Sequence, residues 1–286
     1  MTTYQNATEL DKLTLGKTTL YCSEYNPDLL QAVPRSLNRN DLNLDPNNLP
    51  FFGEDVWYGY ELSWLNSKGK PVVAVAEFKF PCTSENIVES KSFKLYLNSF
   101  NQSQFSSTED VIERLKNDLA LTAGKSVDVA LFPVSDCSAL AITQLPATCI
   151  DHLDITVDDY KFNAKLLADS HNQNKVENNI VEEQLVSHLL KSNCLITNQP
   201  DWASIYISYK GQQIDHESLL KYLISFRQHN EFHEQCVERI FSDIQQYCHI
   251  EELTVFARYT RRGGLDINPY RSTVNKNAPN ARTLRQ

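Results

Sequence analysis

The chain has 286 residues, 41% of them apolar and 10% aromatic, which supports a real core and argues against disorder. Lys and Arg number 27 against 36 Asp and Glu, and the formal charge of −9 works against tight binding of nucleic acid, which depends on neutralising phosphates. No apolar run approaches the roughly 20 residues of a membrane helix, and the opening Met1-Thr2-Thr3-Tyr4-Gln5-Asn6 has neither the basic region nor the apolar core of a signal peptide. Seven cysteines (22, 82, 137, 149, 194, 236, 248), with no C-x-x-C pair, read as free thiols of a reducing cytoplasm.

Residues 1–55 mix short apolar stretches with the turn signals Asn26-Pro27, Asp45-Pro46-Asn47-Asn48 and Leu49-Pro50, so strands and loops are expected there without firm limits. From Val56 the pattern sharpens. Tyr58, Tyr60, Leu62 and Trp64 alternate, Ser67-Lys68-Gly69-Lys70 turns, and Pro71 to Phe80 forms the second arm of a hairpin. Ser92 to Phe100 follows as a helix with Phe93, Tyr96, Leu97 and Phe100 on one face. Ser107-Thr108-Glu109-Asp110 opens a second helix, and Val127 to Phe132 is a strand. In the second half Val186, Leu189 and Leu190 have helical spacing, Ala203 to Tyr209 is a strand and Lys210-Gly211 turns. Ser218 to Phe226 is a helix, Asn230 caps another, and Leu253 to Thr260 is a strand. The tail after Asn275 is polar and expected to be mobile.

The two halves repeat in residues as well as in order. Ser92–Phe100 and Ser218–Phe226 both read S-x-x-x-Y-L-x-S-F, and Glu113–Leu119 and Glu238–Ile244 both read E-R-apolar-x-x-D-apolar. Two matches in the same order point to two copies of one strand-turn-strand-helix-helix-strand unit, residues 1–150 and 151–286. Antiparallel strands with helices on one face make this an α+β chain. The copies differ, so the function is expected to be split between them and assembled where they meet.

The chemistry-bearing residues stand at those differences. Cys194 lies in a polar loop, and Asp201 follows seven residues later, behind Pro200. Together they could serve as nucleophile and proton donor; alternatively Cys194 fills space and Asp201 caps a turn. Glu89-Ser90-Lys91-Ser92-Phe93-Lys94 sets an acid, hydroxyls and two cations around a helix start, either an anion site or a solvated start capped by Ser. Glu231-Phe232-His233-Glu234 begins the helix capped by Asn230. A first-turn carboxylate there stays ionised and either accepts the two parallel donors on the edge of a guanine-like ring or is an exposed Glu that merely favours the helix dipole. Arg261-Arg262-Gly263-Gly264 is a basic turn or a close approach to a phosphate. His233 and Cys236 have no second ligand pair, and there is neither a G-x-G-x-x-G nor a P-loop.

Taken together, Glu89–Tyr96, Cys194 through Pro200-Asp201, Phe232-His233-Glu234 and Arg262-Gly263-Gly264 closely resemble the NADPH-dependent 7-cyano-7-deazaguanine reductases. These are the nitrile reductases of queuosine biosynthesis, a tRNA modification pathway, and the two-copy layout is similar to the family's long, bimodular form. The resemblance implies tandem tunnelling-fold (T-fold) domains, the first carrying the Glu89-Ser90-Lys91 motif and the second the Cys/Asp loop. It implies a cytoplasmic homodimer that reduces the nitrile to an aminomethyl group with two NADPH as co-substrate, requiring no metal and no direct contact with nucleic acid or membrane. Cys194 would be the nucleophile that forms a thioimide, and Asp201 the proton donor. Val88, Glu89, Ser90, His233 and Glu234 would hold the base, and Ser90, Lys91, Arg262 and Gly263 would meet NADPH. Passing the thiol proton to Asp201 during attack would leave that acid ready to protonate the imide nitrogen. Two other readings are a zinc-dependent pterin or GTP enzyme using His233 and Cys236, and a non-catalytic purine-binding repeat protein.

Overall fold

A computed structural model describes residues 21–136, 140–168, 179–275 and 277–286. The opening hexapeptide and Cys137 lie outside these described residues. In chain order the elements are β1 (Ala32–Pro34), α1 (Ser36–Asp41), β2 (Phe52–Leu65), β3 (Pro71–Pro81), β4 (Asn86–Val88), α2 (Ser90–Asn98), α3 (Thr108–Ala123) and β5 (Asp128–Pro133). Then come β6 (Thr148–Cys149), β7 (Ile180–Asn193), β8 (Pro200–Gln212), α4 (His216–Ile224), α5 (His233–Tyr247), β9 (Ile250–Tyr259) and β10 (Leu265–Ser272).

Local chemistry accounts for the first unit. The side chain of Asn66 accepts from Lys68 N and Lys70 N, and Gly69, at φ +77, takes the left-handed position that closes the β2–β3 turn. Ser107 caps α3 by accepting from Asp110 N, and Val111, Leu115 and Leu119 bury one stripe of that helix. Gly124, at φ +73, ends it. The second unit repeats the plan with the β7–β8 hairpin, α4, α5 and β9. Both hairpins carry a bulge at the same place, between Gly59 and Leu62 and between Ser187 and Leu190.

Among the described residues eight strands form one sheet, in the order β5-β3-β2-β10-β9-β8-β7-β6. Every pairing in it is antiparallel except β6 with β7. The halves therefore join through β10 on β2, and β6, at the end of the first half, pairs with β7 of the second. One core packs α2 and α3 on β2, β3 and β5 and also takes Leu265 and Ile267 from β10. The other packs α4 and α5 on β7, β8 and β9. Val33, Ile87, Leu195 and Phe232 form a small cluster between them.

Several expectations fail for identifiable reasons. Val186, Leu189 and Leu190 lie in β7, not in a helix, because the bulge after Ser187 breaks the period of two and leaves apolar residues at helical spacing. Strand β8 runs through Gly211, which pairs with Ile250 across a register shift rather than turning. Strand β10 has no counterpart in the sequence reading: Pro269 sits in its middle, and all of its residues are buried, so alternation is lost. The end of the tail, expected to be mobile, contacts the sheet. Gln286 accepts from Arg258 Nε at 2.7 Å and donates to Asn268 Oδ1 at 2.6 Å, and Ala281 is buried. A polar tail atom thus partners Nε of a guanidinium that the sheet buries.

The seam between the halves is charged as well as apolar. Glu238 on α5 receives Arg39 (Nε 2.9 Å, Nη2 2.7 Å) and Arg271 (Nη2 2.8 Å), while Asp55 receives Arg35 Nη2 at 2.6 Å and Arg271 Nη1 at 2.8 Å. Burial opposes the charge on Glu238, yet Arg271, Arg39 and Arg35 hold its carboxyl down at about 2. A depressed folded value stabilises above the ordinary glutamate range and is lost as pH falls toward 2. Glu238→Gln is expected to cost about 3–5 kcal/mol at neutral pH by leaving guanidinium groups buried and under-paired. The deficit should shrink as urea melts are repeated at decreasing pH.

Candidate active site

A cavity of about 280 Å³ opens at this seam. From the first half it is lined by Trp57, Ile87, Val88, Ser90 and Lys94, and from the second by Cys194, Asp201, Glu231, Phe232, His233, Glu234 and Arg262 among others. Seven of the residues singled out in the sequence, Val88, Ser90, Cys194, Asp201, His233, Glu234 and Arg262, thus face one space.

The loop between β7 and β8 carries Cys194. Its ends are pinned by Cys194 N donating to Gln199 O at 2.8 Å and Asn198 N to Cys194 O at 3.1 Å, with Asn198 left-handed at φ +54. Asn can adopt that conformation at modest cost. The Asn198 side chain accepts from Asn230, and Asn193 N and O bond His229 O and Glu231 N at 2.8 and 3.1 Å. The thiol loop is thereby tied to the segment leading into α5. Cys194 itself is half-buried.

Asp201 sits at the start of β8, 3% exposed. Its Oδ1 accepts from Arg262 Nη1 and lies 3.7 Å from His233 Nε2. The His233 ring stands edge-on to Tyr259 at 4.1 Å, and burial lowers its pKa against the pull of Asp201, which favours the neutral imidazole. Glu234 is also buried. Burial first, and then the charge of Asp55, push its carboxyl up to about 8. This corrects the expectation of a first-turn carboxylate that stays ionised, because the helix start lies inside the seam and not in solvent. Asn230 does not cap α5: the cap position is Phe232, and Asn230 pairs with Asn193. Glu231 precedes the helix, its charge held against burial by His229 (2.9 Å) and Arg239 (2.8 Å).

Glu89, Lys91 and Gly263 border the cavity without lining it. Glu89 is fully buried, and its carboxylate accepts from Lys91 N at 2.6 Å and Ser92 N at 2.7 Å, capping α2 itself. The α2 start is therefore capped by this acid, and not by Ser as the sequence suggested. Lys94, quoted as one of two cations at this helix start but given no role by the resemblance, lines the cavity. It stands one helical turn after Ser90, and that spacing was the available signal. Burial, then Arg262, lowers its pKa. Gly263 and Gly264 are left-handed (φ +56 and +76), and a Cβ on Gly263 would meet Lys94 at 3.3 Å. Ser90, Lys94 and Arg262 beside bare backbone suit a phosphate. Cys236 points into the core, and burial pushes its thiol up to about 12, so it offers no ready thiolate to a metal beside His233.

Two stretches of the chain match known family models. Residues 21–131 match a family model described as the N-terminal part of the nitrile reductase 7-cyano-7-deazaguanine reductase, and residues 200–278 match one described as QueF-like protein. A relative from Colwellia psychrerythraea is 68% identical over the whole of both chains and is named NADPH-dependent 7-cyano-7-deazaguanine reductase. A crystal structure of the apo archaeosine synthase QueF-Like covers 36% of this chain and all of its own, at 14% identity and a TM-score of 0.29.

Proposed function

This chain belongs to the 7-cyano-7-deazaguanine nitrile reductase family, and we propose that it reduces that nitrile to the aminomethyl group through a thioimide on Cys194. The observation that carries this reading is the convergence of Cys194, Asp201, His233, Glu234 and Arg262 with Val88 and Ser90 in one cavity. The direct test is NADPH consumption on adding 7-cyano-7-deazaguanine, with two NADPH oxidised per aminomethyl product. No oxidation, or a ratio of one, would overturn it.

Each residue type has a task. The Cys194 thiol adds across the C≡N bond: sulfur bonds to carbon, a π bond breaks, and nitrogen takes a proton. Asp201 accepts the thiol proton and delivers it to that nitrogen, while Arg262 holds its carboxylate in place. Two NADPH would each supply one hydride to the four-electron change from nitrile to amine. Between the two the C–S bond breaks and returns the Cys194 thiol, and two further protons come from solvent. Glu234 and His233 take the guanine-like edge, and the two N–H donors of the base draw Glu234 into its ionised form. Val88, Ser90 and Glu89 complete the base pocket. Ser90, Lys91, Arg262 and Gly263 hold the dinucleotide, with Lys94 as a further cation.

Arg262 is the cation nearest Asp201 and also the one suited to the 2′-phosphate. Arg262→Ala is expected to weaken NADPH by about 10–100-fold, the worth of a charged hydrogen bond, and NADH far less. Equal losses in a titration of both dinucleotides would remove Arg262 from that phosphate.

The architecture we infer is a pair of T-fold units, residues 1–150 and 151–286, in a cytoplasmic homodimer with one base bound per chain. The sheet ends in the short strands β5 and β6, and open edges favour closure against a second copy. A fragment comprising residues 151–286 should be inactive, because it lacks Val88 and Ser90. Activity from it would refute a site shared by the halves.

A further inference from the structure

We infer that Cys149, Asp151 and His188 form a binding site for a zinc-class divalent cation, separate from the nitrile chemistry. The three residues offer a thiol sulfur, a carboxylate oxygen and an imidazole nitrogen that all lie within 4.8 Å of one another. That mixture of soft and borderline donors suits Zn²⁺ rather than Mg²⁺ or Ca²⁺, which prefer oxygen. Three protein ligands leave the fourth tetrahedral position to water.

The donors are already oriented. His188 Nδ1 is 2.8 Å from Ser204 Oγ, a bond that fixes the ring and leaves Nε2 for the ion. Asp151 accepts from Ser187 Oγ at 2.7 Å and His188 N at 2.9 Å, and each of its oxygens keeps a further lone pair. Ligating carboxylates are commonly braced in this way. Cys149 ends β6, the parallel partner of β7, and would bind as thiolate with its proton passing to solvent.

The repeat explains why such a place exists. The bulge that holds His188 in β7 matches the bulge that holds Tyr60 in β2. Tyr60 N donates to Gly264 O beside the active cavity, and His188 N donates to Asp151. One bulge thus borders the reductase site, and its copy borders the three-donor cluster. His188 is six residues before Cys194 along β7, so it lies at most about 20 Å from that thiol. A cation here would clamp the crossing between the halves, residues 148–151, onto β7.

One group opposes the ion. Arg285 Nη2 reaches Ser204 Oγ at 3.0 Å and His188 O at 3.1 Å, placing a positive charge beside the cluster. Metal must compete with it, so Arg285→Gln should tighten binding several-fold.

The test is a titration of chelator-treated full-length protein with Zn²⁺, and with Co²⁺ as a spectroscopic probe. One ion per chain is expected, with a thiolate-to-cobalt charge-transfer band and a rise in melting temperature. Cys149→Ser should abolish the band, and the exposed His188→Ala should weaken Zn²⁺ by about tenfold or more. Cys194→Ala should leave both unchanged. No stoichiometric binding, a band that survives Cys149→Ser, or one lost with Cys194→Ala would overturn the assignment. Should Cys149→Ser fail to fold, the His188→Ala titration decides alone.

Discussion

Cys194→Ala is expected to form no covalent adduct and to lose turnover by on the order of 10⁴-fold or more, as removal of a nucleophile does elsewhere. Intact mass after mixing the unaltered chain with 7-cyano-7-deazaguanine, without NADPH, should show one added base per chain. A nitrile is a poor hydride acceptor and a thioimide a better one, so losing sulfur removes the activated species and not merely a binding contact. The base should still bind, since Val88, His233 and Glu234 are untouched. An adduct that persists in the alanine variant would move the covalent step to another thiol. Buried Cys236, with its raised pKa, is a poor substitute.

The second large effect is expected at Asp201. Asp201→Asn keeps the shape and can still pair with neighbouring groups, but it neither accepts the thiol proton nor donates as an acid. General acid–base help is worth roughly 10²–10⁴ in rate, and turnover should fall by that amount with base affinity changed little. Because Arg262 then lacks its anionic partner, NADPH binding should be unchanged or tighter. Turnover within about threefold of the unaltered chain would remove Asp201 from proton transfer; weakened base binding would recast it as a contact.

Much of this was legible in the residues. The hairpin from Tyr58 to Phe80, the helix capped by Ser107 and the paired E-R-apolar-x-x-D-apolar stretches depend on local chemistry, and local chemistry is what a sequence displays. The thiol loop was visible because Cys194 and Asp201 lie close along the chain. What escaped depends on partners far away. Strand β10 reads as irregular because Asp266, Asn268 and Arg271 are buried polar residues whose partners, among them Tyr60, Val56 and Asp55, are some two hundred positions earlier. Glu234 looked like a solvated first-turn acid until the seam closed around it. Lys94 stood in a quoted motif, and only the helical geometry of α2 turns it rather than Lys91 toward the cavity.

The pairing of β10 with β2 also bears on how the protein is made. Leu265 lies opposite Gly59, so at about 5–20 residues per second the ribosome needs roughly 10–40 s to deliver the strand that β2 awaits. Throughout that interval the first core lacks Leu265 and Ile267, and Asp55 lacks Arg271. An unpaired edge is then offered to any neighbouring nascent chain. Late-terminated products should accordingly be the insoluble ones, and a synonymous slowdown placed after residue 150 should lower soluble yield more than the same slowdown placed before residue 50.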